Sequence, residues 1–220
     1  MEITSYLLGK KSSGGGGGSG GLDWSAIGYE TTPQGVDEGY NYAKNIYDNW
    51  ENISVLSSMF TEDINLTIMP LVDTSNATTM SSMFQFCYGL TSVPLLNTSK
   101  CTNFQSSFAS CYCLKTIPKF DTANATNMST MFNACSILKN VPQFDTSKVT
   151  SIQNMFYTCN ALTDESLNNI LKMCININPS YSKTRTLAYL GFRSTYYPAS
   201  RIQALSSYED FIDAGWTIGY

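Results

Sequence analysis

Between residues 53 and 162 the apolar positions recur every 24 residues, a period far longer than that of a single helix or strand. Phe60, Phe84, Phe108, Phe132 and Phe156 are each 24 apart, and Leu66, Leu90, Leu114, Leu138 and Leu162 keep the same register. Pro70, Pro94, Pro118 and Pro142 follow it, as do Cys87, Cys111, Cys135 and Cys159. So do Asp73, Asn97, Asp121 and Asp145, each followed by Thr. No insertion shifts the register, and a shared period of this kind predicts a stack of about five copies of one supersecondary unit. Within a unit, Leu-x-x-(Val/Ile)-Pro, as in Leu90 to Pro94, predicts a short strand. The Asp-Thr-(Ser/Ala) after it predicts a turn whose acidic side chain bonds a backbone N–H two residues on. Ala125, Met128, Met131 and Phe132 stand at helical spacing, which predicts that the chain returns as a short helix or 3₁₀ turn. One such coil cannot bury its Leu, Met and Phe, whereas stacked neighbours can. The expected fold is an α/β repeat solenoid.

The flanks are expected to close and carry this stack. Val36, Tyr40, Ala43, Tyr47 and Trp50 recur at helical spacing, so an amphipathic helix is expected over residues 35–50, within an N-terminal helical cap spanning 22–52. After Leu162 the period fails, because Glu165 stands where a core Val or Ile belongs, and residues 163–220 are expected to form a C-terminal cap. There Leu167, Ile170, Leu171 and Cys174 make one amphipathic set. Ser206 to Glu209 has the form of a capping box ahead of Phe211 and Ile212, with Gly215 as the helix stop and residues 216–220 as a final strand. Residues 12–21 contain only Gly and Ser and predict a flexible linker reaching roughly 17 to 19 Å. The eleven residues before it are too apolar for a mere tail and too few to fold alone; Ile3, Tyr6, Leu7 and Leu8 are expected to serve as an attachment peptide.

Composition narrows the chemistry. Hydrophobic residues make up 43% of the 220 and charged residues 14%, so Ser, Thr and Asn must do the solubilising. A net charge of −4 has the wrong sign for a protein that neutralises phosphates with Lys and Arg, which sets nucleic acid aside. With no histidine, Ser-His and Cys-His nucleophile activation are impossible. Carboxylate-pair chemistry needs only Asp or Glu, but no acidic pair recurs in a setting that would raise one pKa. No catalytic residue, cofactor or metal is therefore expected. The start carries an acid in front, a short apolar stretch and lysines behind, the reverse of a signal peptide, so synthesis in the cytoplasm without that export route is expected. No apolar run reaches the 18 residues or so of a bilayer span, so no membrane insertion is expected.

The unit Leu138-Lys-Asn-Val-Pro-Gln-Phe-Asp-Thr-Ser-Lys-Val-Thr-Ser-Ile-Gln-Asn-Met-Phe-Tyr-Thr-Cys159 resembles the BspA-like class of leucine-rich repeats, whose units end in Met-x-x-Met-Phe-x-x-Cys. The resemblance covers residues 53–162 and implies a leucine-rich-repeat-like stack. It departs most at Asp63, where the Cys should be, and at Ser107, which replaces Met. The family is similar to bacterial surface and adhesion proteins, and comparable arrays occur in phage structural proteins, which the Tyr-Leu-Leu-Gly-Lys-Lys start and glycine tract look like. What the resemblance implies is a recognition or adhesion module in a virion or on a bacterial cell surface. Its partner would be a protein or glycan of a bacterial surface, and residues 1–11 would join it to a virion or tail component.

Each ladder also has a chemical reading to weigh. The Cys ladder would place thiols about 5 Å apart, near strand spacing. Each of these Cys lies three residues before a core Leu, however, and an odd total of seven precludes a complete disulfide framework, so small buried hydrophobes are expected. Cys101 takes an Ala/Val position, and Cys113 and Cys174 follow no ligand spacing. The Asp/Asn ladder lacks the Gly-rich signature of calcium-binding repeats and is expected to make turns. The Asn-x-(Ser/Thr) triplets follow from Thr-rich turns rather than marking glycosylation. Residues that vary while facing outward are the expected binding set: Ser92, Thr116 and Asn140 in the strands, and Leu95, Lys119 and Gln143 after the prolines.

Overall fold

In this computed structural model, residues 54–69 and 74–219 are described. The expected attachment peptide with Ile3, Tyr6, Leu7 and Leu8, the linker, the N-terminal cap, Pro70 and Asp73 lie outside the described residues. Where the sequence repeats, the backbone hydrogen bonds repeat with it. Thr102, Thr126 and Thr150 donate their N–H groups to the carbonyls of Thr78, Thr102 and Thr126, each one unit back. Two lines of parallel bridges run across the units. One joins Val55, Thr79, Asn103, Asn127 and Ser151; the other joins Ile68 to Ser92 and Thr116 to Asn140. Each crossing is a single bridge rather than the short strand expected from Leu-x-x-(Val/Ile)-Pro. The proline two residues after Ser92, Thr116 or Asn140 has no N–H and cannot extend the ladder.

The return segment is where the backbone departs furthest from the helical spacing. No helix or 3₁₀ turn forms there. The N–H groups of Ser82, Phe84 and Phe86 reach forward to the carbonyls of Gln105, Ser107 and Ala109, while those of Met83, Gln85 and Cys87 close local turns three residues back. Alternate amides thus serve the next unit and their own. This path needs a left-handed residue at two registers of each unit, and none of the ten is glycine: Ser58, Ser82, Ser106, Thr130 and Asn154 at one, Glu62, Phe86, Ser110, Ala134 and Thr158 at the other. A left-handed conformation costs an L-residue about 1 to 2 kcal/mol. Every one of these residues through Ala134 donates its N–H to the following unit, so the strain is offset by the stacking contacts it makes possible.

Inside the coils, equivalent side chains lie on one another. The rings of Phe60, Phe84, Phe108, Phe132 and Phe156 form a column with centroids 5.2, 5.3, 5.7 and 5.7 Å apart and nearly parallel planes. Phe120 and Phe144 stack on Phe108 and Phe132 from the neighbouring register. Buried polar side chains stitch the units together. Thr74, Thr98 and Thr122 donate their hydroxyls forward to the carbonyls of Asn97, Asp121 and Asp145 at 2.8, 2.7 and 3.0 Å. Ser107, where other units carry Met, is fully buried and satisfies its hydroxyl on the carbonyls of Met80 and Phe104.

Beyond Leu162 the cap continues the core with a different sequence. Helix α1, Asp164–Ile175, is capped by Thr163, whose side chain accepts from the Ser166 N–H, and it buries Leu167, Ile170, Leu171 and Cys174, as the amphipathic spacing predicts. A 3₁₀ turn at Ala188–Leu190 supplies the carbonyls of Tyr189 and Leu190 to the N–H groups of Asn154 and Phe156, where a sixth coil would have supplied its own. Met173 of α1 accepts from the Thr146 hydroxyl at 2.6 Å in the same way. Two short helices follow, α2 at Ala199–Gln203 and α3 at Tyr208–Asp213. The expected capping box does not form. The N-cap of α3 is Ser207, and the Ser206 hydroxyl is spent on the side-chain oxygen of Asn168. Gly215, at φ +80°, does end α3. The final strand is reduced to one bridge between Thr186 and Thr217.

Candidate binding surface

The cysteine ladder faces the interior. Cys87, Cys111, Cys135 and Cys159 are buried, and each thiol donates to the carbonyl of the Phe in the preceding unit at 3.0 to 3.1 Å. Cys101 does the same toward Ala77. Burial pushes the thiols of Cys87, Cys101 and Cys135 up to about 12 and raises those of Cys111 and Cys159 as well, which keeps them protonated and inert near neutral pH. Asp63, in the Cys position of the first unit, is buried too, and burial raises its carboxyl above the ordinary range. The Asp/Asn ladder makes the expected turns: Asn97, Asp121 and Asp145 accept from the N–H of Ser99, Ala123 and Ser147. The bonds from Ser147 hold the Asp145 carboxyl below its usual range.

Much of the outward polar surface is consumed in the same way. The hydroxyls of Thr78, Thr91, Thr102, Thr126 and Thr150 all donate to carbonyls one unit back, and Lys100 and Lys148 donate to the amide oxygens of Asn76 and Asn124 at 2.9 and 2.7 Å. Against this background the expected binding set divides. Ser92, Thr116 and Asn140 form the second bridge line, and their side chains hydrogen-bond no described residue. Leu95 and Lys119 are exposed, whereas Gln143 and Ser92 are only half exposed. Leu95, Lys119 and Gln143 follow the prolines at equal register and flank the buried Leu96, Phe120 and Phe144.

Two pairs of residues on the same outward stretch were not anticipated. Tyr88 and Tyr112 are 41% and 46% exposed, and their rings stack at 5.1 Å with planes 5° apart. Beside them an open depression is lined by Glu62, Ile64, Phe86 and Tyr88. Three residues after Tyr112 comes Lys115, and 24 further on comes Lys139; both are exposed, and the Lys139 N–H donates to the Lys115 carbonyl at 2.9 Å. Neither ammonium has an ion pair or hydrogen bond among the described residues. The signal for both pairs was the same 24-residue register that revealed the core, read at solvent-facing positions.

Units of one length, hydrogen-bonded through equivalent atoms, make this stretch of the chain a tandem repeat. The chain belongs to the family described as Mycoplasma protein of unknown function, DUF285, whose model matches residues 36–114 and again residues 89–187. This family is related to the BspA-like repeat proteins. The second match runs past the last repeat and through α1. No curated protein matches the chain. Among the described residues no helix is long and apolar enough to cross a membrane, and no group of His, Cys, Asp and Glu is placed to hold a metal ion.

Proposed function

We propose that this chain is a non-enzymatic recognition module, a leucine-rich-repeat-like solenoid of α/β type closed by N- and C-terminal caps, which binds a bacterial surface through its outward columns. The observation that carries the reading is the unspent Ser92, Thr116 and Asn140 side chains on the same outward stretch as the exposed Tyr88–Tyr112 pair. A stack locked by interunit bonds holds such groups in fixed relation, so a ligand meets a preorganised surface and little ordering entropy opposes binding. The setting proposed is a virion, as a tail-associated component attached through Ile3, Tyr6, Leu7 and Leu8; the resemblance of the start and glycine tract to phage structural proteins supports it. A bacterial cell-surface adhesin is the second reading, favoured by membership in a family described from Mycoplasma.

The test is saturable binding of the labelled full chain to whole bacterial cells, compared with a Tyr88→Ala/Tyr112→Ala variant of unchanged melting temperature. Binding that falls at least about tenfold in the variant supports the reading, a tenfold change being about 1.4 kcal/mol. Equal binding by both proteins moves recognition elsewhere on the molecule. Antibody labelling of particles against cells then separates virion from adhesin.

A further inference from the structure

The two unanticipated pairs, taken together, point to a class of ligand. Lys115 and Lys139 are adjacent across the stack, since the backbone of one donates to the backbone of the other at 2.9 Å. Like charges directly across a ladder destabilise it. Two other exposed lysines, Lys100 and Lys148, are each seated on an asparagine oxygen of the preceding unit, while Lys119, also exposed, stands alone at its register, with Gln143 rather than a second lysine one unit on. For Lys115 the residue one unit back is Thr91, whose hydroxyl is already committed to the Thr67 carbonyl. For Lys139 it is Lys115 itself. The two lysines thus branch from hydrogen-bonded neighbours, and neither has an ion pair or side-chain hydrogen bond among the described residues, an arrangement that an anion bridging both would relieve.

The aromatic pair lies three residues away along the same stretch and ends abruptly. Ile64, Tyr88, Tyr112 and Ser136 occupy one register, and the N–H groups of Tyr88, Tyr112 and Ser136 close the same local turn, two residues back. Tyr112 stacks on Tyr88 on one side. On the other side the register passes to Ser136, a side chain too short to cover a ring. A ring seated over Ser136, an aromatic one or the C–H face of a sugar, would continue the column against Tyr112, with Lys115 and Lys139 three residues along in the same two units and Thr116 and Asn140 next to them.

We propose that this seat binds an acidic sugar, a pyranose ring that stacks on Tyr112 and carries a carboxylate met by Lys115 and Lys139, with Thr116 and Asn140 as hydrogen-bonding partners of its hydroxyls. The inference rests on the recognition reading above and names its ligand. A purely apolar partner would leave the lysine pair uncompensated, and a bare anion would leave the Tyr112 face and the Thr116 and Asn140 side chains unused.

The full chain is applied to an array of oligosaccharides bearing uronic or sialic acids, printed beside their neutral counterparts and beside aromatic peptides, with binding to whole bacterial cells measured in parallel. Saturable binding to acidic oligosaccharides is expected, weakening as salt rises because the contact is charged and exposed. Tyr112→Ala should weaken it about tenfold or more, a loss of about 1.4 kcal/mol or greater. Lys115→Gln/Lys139→Gln should abolish the preference for acidic over neutral sugars without lowering the melting temperature, since it removes a repulsion. Ser136→Tyr, which fills the seat, should block binding while leaving the fold intact. An array with no acidic-sugar signal overturns the inference, as does a signal unchanged in these variants or one confined to neutral sugars or aromatic peptides. If cells are still bound in such a case, the recognition reading survives and only the ligand class falls; if cells are not bound either, both fall.

Discussion

The repeat array and the C-terminal cap solve one problem in two ways. In the array, each unit presents forward N–H groups and hydroxyls that the next unit accepts with identical atoms: Phe108 on Met131, Phe132 on Met155, Thr98 on Asp121, Thr122 on Asp145. In the cap no residue repeats, yet the same groups are met: Phe156 on Leu190, Asn154 on Tyr189, Thr146 on Met173. Buried backbone groups must be paired whatever the sequence, and carbonyls are available to any residue. An array therefore needs its period to fill a core, but a cap needs only to place a few carbonyls and enough apolar bulk. Phe192 shows the bulk, lying 5.8 Å from Phe156 with its plane tilted by 56°, so that it ends the parallel column instead of extending it.

The junction where the two regions meet is the most sensitive point of the molecule. Gly191 has φ +93°, and a Cβ added there would lie 2.5 Å from the Cα of Tyr157 and 2.6 Å from its N. Backbone cannot yield as a flexible side chain can, so Gly191→Ala should cost about 2 to 6 kcal/mol, strain and clash acting together. Gly215→Ala is the control: at φ +80° an added Cβ meets nothing within 4 Å, and only the conformational cost of about 1 to 2 kcal/mol remains. Chemical denaturation giving similar losses for both would show that the cap is not seated on Tyr157. Within the array, Phe132→Ala removes a ring stacked on Phe108, Phe144 and Phe156 and should cost about 3 to 5 kcal/mol. A loss below about 1 kcal/mol in the same measurement would contradict the column.

Smaller effects sharpen the role of the cysteines. Cys135→Ala removes the thiol donor to the Phe108 carbonyl, which keeps the Cys111 N–H, and should cost about 0.5 to 1.5 kcal/mol. Cys113→Ala, at an exposed thiol, should change stability by less than about 0.5 kcal/mol. The same division predicts that the native protein titrates one thiol of seven with a disulfide reagent at neutral pH and all seven after unfolding. Rapid reaction of more than one would mean that the ladder is not buried.

How much of this could be read from the chain follows from what each feature depends on. The stacking period, the buried cysteines, the Asx turns and the α1 core face were legible because each depends on residue identity recurring at one spacing. The turn path of the return segment was not. Its ten left-handed positions hold Ser, Thr, Asn, Glu, Phe and Ala, without the glycine that announces such a conformation, and the Met and Phe between them imitate helical spacing. The capping box failed because Asn168, distant in sequence, takes the Ser206 hydroxyl. On the candidate binding surface, Ser92, Thr116 and Asn140 could be read as variable outward positions. Tyr88, Tyr112, Lys115 and Lys139 escaped because each pair spans only two units, and what marks them is the absence of partners that other polar residues have.

Hydrogen exchange read residue by residue reports whether each unit is held by the next through alternate amides and whether the cap completes the last one. Slow exchange is expected at Phe84, Phe108 and Phe132, which donate between units, and equally slow exchange at Phe156, which donates to Leu190 of the cap. Protection should recur every 24 residues and should fall at Phe156 first when Gly191 is replaced by alanine. Protection confined to α1, with fast exchange at all four phenylalanines, would contradict this arrangement.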